Sequence, residues 1–257
     1  LMGSEMCIRD RLFWNIEGPP ELEDGHHLLQ TRSPADIASR LQLDDNRIHA
    51  LIESARTKMR AARQQRHLPR DHKVLAAWNG LALAALVDGA QGGDQPRYKQ
   101  AANRLFDYLH GRMWDGRQLQ RAVHEGKSLG AGNLEDYAYV ARGVYAWWRL
   151  TQDDKAKRWL QQLLTQGWER FYTRGGWLLA QDILLQYGQG ATLLSDGPMP
   201  SPAAVLIDTS YRFGRQTGDK ALTDQALRAL NVGHAELEKD AFWHATQIRV
   251  LLNAVSY

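Results

Sequence analysis

Three times along this chain a strongly apolar helical run is followed by a turn and then by a second, more charged helical run. The first runs begin near Val74, Leu134 and Ser201, and their partners near Pro96, Asp153 and Asp219. The starts lie roughly 60–70 residues apart, a longer period than that of the common helical solenoids. The partner helices confine their apolar residues to one stripe, as Tyr98, Ala101, Ala102, Leu105, Phe106 and Leu109 do. Inner helices buried on most sides and outer helices buried on one side make two concentric layers. Solenoids and simple bundles keep their connections short, whereas each inner helix here follows a long polar connection. The pattern therefore predicts an all-α chain, part of an α/α toroid, with short β-hairpins between helix pairs. The alternating run "WDGRQLQRAVHEG", with its Asp115-Gly116 turn signal, and the run "TRGGWLLAQDILL" are the hairpin candidates.

Upstream of these pairs, Ser33, Pro34 and Asp36 read as the N-cap, first position and first-turn acid of a helix. A longer amphipathic helix follows, with Ile48, Leu51, Ile52, Ala55 and Met59 on one side. Residues 12–32, broken by Gly18, Pro19, Pro20 and Gly25, read as irregular. Residues 6–11, "MCIRDR", match the translation of a sequencing-library adaptor. Residues 1–11 are accordingly expected to be an adaptor-derived or disordered tail, and 12–257 a partial toroid domain.

Composition narrows the function classes. A net charge of +3 is too mild to argue for nucleic acid. The run Arg56, Lys58, Arg60, Arg63, Arg66 and Arg70 reads as the solvated face of one helix. No apolar run approaches the ~20 residues of a membrane span. The single Cys7 gives neither a disulfide framework nor a cysteine-rich zinc site. No metal or cofactor motif is read, and the expected location is cytoplasmic.

Parallel inner helices bring their N-termini to one mouth, and three polar clusters fall there. They are Asp71-His72-Lys73 with Trp78 and Asn79, then Glu135-Asp136-Tyr137, then Ser195-Asp196-Gly197 with Ser201. Asn79 and Gly80 weaken a helix interior, which suggests that this stretch lines a cavity rather than a dry core. Asn79 offers a donor and an acceptor, and Trp78 a stacking face. The expected catalytic residues are Asp71, His72 and Asp136. The expected substrate-binding residues are Lys73, Trp78, Asn79, Tyr137, Asp196 and Ser201. Read locally instead, Asp71, Asp136 and Ser201 are helix caps or first-turn acids.

The segments "RDHKVLAAWNGLALAAL", "LEDYAYVARGVYAWWRLTQD" and "SDGPMPSPAAVLIDTSYRF" resemble three successive motifs of the spermatogenesis-associated protein 20 family. The resemblance extends over nearly all of residues 12–257. It implies a fragment of a longer protein, in which a thioredoxin-like domain precedes a six-hairpin α/α toroid similar to N-acylglucosamine 2-epimerases and six-hairpin glycosidases. The chain departs from the family at three points. His72 stands where Asp is usual, Glu135 where Asp is common, and Pro198-Met199 where an Asp-Gly-Ala-Glu-Pro-Ser run carries Ala-Glu.

Two functions fit. The first is a sugar-binding or sugar-processing toroid with a small-molecule sugar as partner. Glycoside cleavage would need two of Asp71, Asp136 and Asp196 flanking a bond. Epimerisation would need a near-neutral acid and base such as His72, with His124 and His244 as further candidates. The second is a non-catalytic binding or interaction module that accompanies the thioredoxin-like domain, its partner within the same protein.

Overall fold

The computed structural model describes residues 4–16, 18–23, 25–93, 96–174, 176–181 and 195–255. The chain divides into two compact units, residues 1–70 and 71–257.

The first unit holds helices α1 (Ser4–Trp14), α2 (Pro34–Leu41) and α3 (Asp45–Gln64). Helix α2 starts as the sequence dictates: the Ser33 hydroxyl accepts from the Asp36 N–H, and the Asp36 carboxylate accepts from the Ser33 N–H. Its core joins Leu12, Phe13 and Trp14 to Ile37, Ala38, Ile48 and Ile52. The irregular reading of residues 12–32 thus fails at its start, because helix α1 runs to Trp14. Its first turns also lie within the residues expected to be a tail. The glycines and prolines beyond Trp14 mask the signal of three consecutive apolar residues able to fill a small core. The basic run on α3 is solvated beyond Arg56, which stacks over the Phe13 ring and pairs with Glu53.

The second unit follows the expected order. Strand β1 (Val74–Leu75) leads into α4 (Ala76–Gly92), which pairs with α5 (Pro96–Tyr108). A π turn over Leu109–Met113 ends that hairpin, and β2 (Ala122–His124) and β3 (Lys127–Ser128) follow. Helices α6 (Leu134–Thr151) and α7 (Asp154–Phe171) form the second pair. The hairpin of β4 (Tyr172–Thr173) and β5 (Gly176–Trp177) separates it from the third pair, α8 (Pro202–Thr217) and α9 (Lys220–Val232). Helix α10 (His234–Lys239) and a 3-10 turn lead to α11 (Ala245–Val255). Strands β1, β2 and β3 form one antiparallel sheet in that order, with Val74 opposite Val123 and His124 opposite Lys127. The turn between β2 and β3 places Glu125 and Gly126 at φ 49° and 76°, the left-handed pair of a type I′ turn. The last part of the second hairpin candidate, residues 182–185, falls outside the described residues.

Inner and outer layers are recognisable from burial. In the first pair α4 buries Ala76, Ala77, Gly80, Leu83, Ala84 and Val87, whereas α5 buries Ala102 and Phe106. Helix α8 is buried along most of its length, from Pro202 to Gly214, and its partner α9 only at Ala226, Ala229 and Leu230. In the second pair the contrast is weaker, because α7 beside the buried α6 also buries Trp159, Leu160, Leu163, Leu164, Trp168 and Phe171. The inner helices run parallel. Ala77 meets Asp136 and Gly80 meets Tyr139 and Val140, so α4 and α6 advance together. Tyr139 meets Pro200 and Trp148 meets Phe213, so α6 and α8 do the same. Ser201 meets Gln247 and Asp208 meets Arg249, which adds α11 as a further inner helix.

The glycine of the Trp78-Asn79-Gly80 stretch belongs to a helix crossing. A Cβ built on Gly80 would lie 2.5 Å from the Tyr139 carbonyl carbon and the Val140 nitrogen. One built on Gly143 would collide with the Gly80 carbonyl oxygen. The α4 and α6 backbones therefore touch, and only glycine at both positions permits it. Gly80 lies in a dry contact, so the cavity expected around this stretch does not explain it.

Candidate functional site

The expected residues sit in or beside the N-terminal turns of the inner helices, and the buried ones are occupied there by the backbone. Asp136 is 3% exposed. Its Oδ2 accepts from the Asn133 N–H at 2.9 Å and its Oδ1 from the Ala77 N–H at 3.1 Å. It is the third residue of α6 and completes a capping box with Asn133. Through its second oxygen it holds the first turn of α4. Burial pushes its carboxyl up to about 6, against the two backbone donors, which pull the other way.

Tyr137 is fully buried and turned outward, away from the mouth. Its hydroxyl accepts from the Leu119 N–H at 3.0 Å and donates to the Gln166 side chain at 2.9 Å, and its ring packs on Phe171. Asp196 accepts from the Ser201 N–H at 2.6 Å and the Thr246 N–H at 2.8 Å, which joins the starts of α8 and α11. Ser201 is the buried N-cap of α8, accepting from the Ala204 N–H and the Gln247 side chain.

The remaining expected residues are more open. Asp71 accepts from the Lys73 N–H at 3.0 Å and pairs with the Lys73 ammonium at 3.2 Å, and these contacts hold its carboxyl below the usual carboxylate range. Lys73 therefore turns back to Asp71. His72 is exposed. Trp78 is 64% exposed, and Asn79 spends its amide N–H on the Leu75 carbonyl one turn back. His124 lies near enough to Asp71 to act on its charge, and its Nδ1 is buried without a hydrogen-bond partner. His244 is held by the Asp240 carbonyl. The structure thus brings together Asp71 with Lys73, and Asp196 with Ser201. It does not gather Trp78 and Tyr137 onto one surface.

A different set of side chains converges farther along the inner helices. A hollow of about 310 Å³ is lined by Asp88 and Gln91 of α4, Arg142, Tyr145 and Arg149 of α6, Asp208 and Arg212 of α8, and Arg249 of α11. A second, of about 630 Å³, shares Tyr145, Arg149 and Arg212 with it and adds Tyr211, Arg215, Gln216 and Asn253. Asp208 receives the Arg212 Nε at 2.9 Å and lies 3.9 Å from Arg249 Nη1. The Asn253 Nδ2 is buried with no hydrogen-bond partner. Sequence reasoning misses these residues, although a signal exists. Arg142, Tyr145 and Arg149 fall at i, i+3 and i+7, and Asp208, Arg212 and Arg215 at i, i+4 and i+7, which is one helical face each. A polar stripe on a helix otherwise apolar enough to be inner marks a lined cavity.

Among the described residues no group of three His, Cys, Asp or Glu side chains is placed to hold a metal ion, and no helix is long and apolar enough to cross a membrane.

Parallel inner helices, the first three each followed by an outer one, with short hairpins between the pairs, define part of an α/α toroid. Solved structures of that class share the fold. The cellobiose 2-epimerase of Spirochaeta thermophila superposes with a TM-score of 0.51 at 15% identity, over 63% of this chain and 43% of the epimerase. The cellobiose 2-epimerase of Bacillus thermoamylovorans gives 0.50 at 13% identity, over 65% and 45%. In sequence the chain is similar to spermatogenesis-associated protein 20: 29% identical to the human protein over 224 residues and 28% to the mouse protein over 226. Each of these matches takes in 79% of this chain and 28% of the relative, so the chain spans little more than a quarter of their length. These relatives uphold the resemblance carried by the three motifs. No protein-family model matches the sequence.

Proposed function

We propose that this toroid segment binds a small carbohydrate on the inner face of helices α4, α6, α8 and α11. The observation that carries the reading is the pair of adjoining hollows, about 310 and 630 Å³, within the size range of small-molecule sites. Their lining is that of a polyol site. Tyr145 and Tyr211 supply ring surface, and Gln216, Asn253 and the arginines supply donors and acceptors for hydroxyls. Asn253 lines the larger hollow beside Tyr145 and Tyr211. Fold likeness to sugar epimerases supports the choice of ligand class by analogy.

Binding without catalysis is the form of this proposal that the carboxylates favour. Both oxygens of Asp136 and of Asp196 already accept backbone N–H groups, so using either acid on a substrate would compete with bonds that hold the helix starts. The thioredoxin-like domain implied by the family resemblance belongs to the same proposal, as the partner that would carry any redox chemistry.

Calorimetric titration with glucose, mannose, N-acetylglucosamine and cellobiose tests it. At least one sugar is expected to bind saturably, and Asn253→Ala to weaken it about tenfold, roughly 1.4 kcal/mol. Absence of binding by all four sugars would overturn the reading.

A further inference from the structure

The inner face carries an excess of positive charge that a neutral sugar does not use. Five arginines, Arg142, Arg149, Arg212, Arg215 and Arg249, line the two hollows against two aspartates, Asp88 and Asp208. Asp208 is already committed to Arg212 and Arg249. Among the described residues Arg142, Arg149 and Arg215 have no carboxylate within ion-pair distance. Arg142 is half-buried, so its charge is partly withdrawn from water with no carboxylate in direct contact. Asp208 holds Arg212 through Nε, which fixes the guanidinium plane and leaves its two terminal nitrogens for another acceptor.

We propose that the ligand of this face is an anionic sugar, a phosphate monoester, with the phosphate held by Arg142, Arg149 and Arg212. The proposal rests on the carbohydrate reading for the sugar part and on the arginines for the anion. Planar guanidinium groups match phosphate oxygens two at a time, and charge-assisted hydrogen bonds of this kind are about twice as strong as neutral ones. A dianion matches a cluster three charges in excess better than a single carboxylate does. Arg149, Arg215 and Arg249 are exposed, so salt screens much of their field and the attraction is strongest at low ionic strength. Asp88, exposed on α4 at the rim, and Asp208 beneath Arg212 are the acids that face the cavity, and neither cancels the excess.

Four probes separate the parts of the proposal: glucose 6-phosphate, glucose, glucuronate and inorganic phosphate, each titrated into the intact chain at low salt. Glucose 6-phosphate is expected to bind at least tenfold more tightly than glucose and more tightly than the other two. Equal binding of glucose and glucose 6-phosphate would overturn the anion assignment and leave the sugar reading standing. Inorganic phosphate binding as well as glucose 6-phosphate, with glucose not binding, would support the anion site and overturn the sugar. Glucuronate matching glucose 6-phosphate would overturn the phosphate in favour of a carboxylate. No binding of any probe would overturn both. Arg142→Gln and Arg149→Gln, which break no ion pair, should keep the wild-type Tm and abolish the advantage of the phosphate ester. An advantage that survives both substitutions would contradict its placement here.

Discussion

Replacing Gly143 by alanine is expected to destabilise the second unit by about 3 kcal/mol or more, at the upper end of overpacking costs. The added methyl meets the Gly80 carbonyl oxygen and lies 3.1 Å from the Leu83 Cβ. The obstruction is backbone, so no side-chain rotation relieves it, and α4 must move off α6. Gly80→Ala should act in the same way, because its methyl lies 2.5 Å from backbone atoms of Tyr139 and Val140. Helix propensity alone predicts the opposite sign, a gain of about 1 kcal/mol for glycine to alanine. Gly92 supplies the control. It lies on α4 with open space where a methyl group would stand, and Gly92→Ala should be neutral or slightly stabilising. Chemical denaturation of the three variants checks the account. Equal, mild effects at positions 80, 92 and 143 would show that the helices do not cross this closely.

Asp136→Ala is expected to cost about 3 kcal/mol, because it strands the Ala77 and Asn133 N–H groups away from water. The acid also leaves a signature in pH. Burial raises its carboxyl from 3.8 to about 6, so between those values the folded chain holds a proton that the unfolded chain has released. This contribution to stability is fully present below about pH 4. It falls by about 3 kcal/mol as pH rises to 6, and is level above. Asp71 and Asp115, whose carboxyls are lowered, act in the opposite direction. The difference between wild type and Asp136→Asn isolates the one group, since asparagine keeps the shape and does not titrate. That difference should decline from pH 4 to pH 6. A flat difference would show that Asp136 is not buried as described.

The architecture is legible in the sequence because its signals are local. Ser33 with Asp36 caps α2, and an apolar run beside a striped one distinguishes α6 from α7. The partner helices start within a residue or so of the positions their caps predict. The candidate site is less legible, because a carboxylate at a helix start looks the same whether it serves a ligand or a neighbouring backbone. Asp136 can be read as a cap of its own helix, but its bond to Ala77 spans 59 residues and has no local trace. Gly80 is similar: its partner, Gly143, lies on another helix. Tyr137 is drawn to the mouth only by its neighbour Asp136, although adjacent helical residues point about 100° apart and Tyr137 turns to Gln166. The arginine stripe is legible too, but only when the charged residues of α6 and α8 are weighed by helical face rather than singly.

The central claim is that the acids at the inner helix starts build the toroid, while the ligand face lies deeper along α6 and α8. A crystal structure of the chain with glucose 6-phosphate tests it most directly. The account predicts the phosphate against Arg142, Arg149 and Arg212, with the sugar beside Tyr145 and Asn253 and with Asp136 still bound to the Ala77 N–H. A ligand seated instead at the helix starts, against Trp78 and Asp71 with Asp136 drawn away from α4, would contradict it.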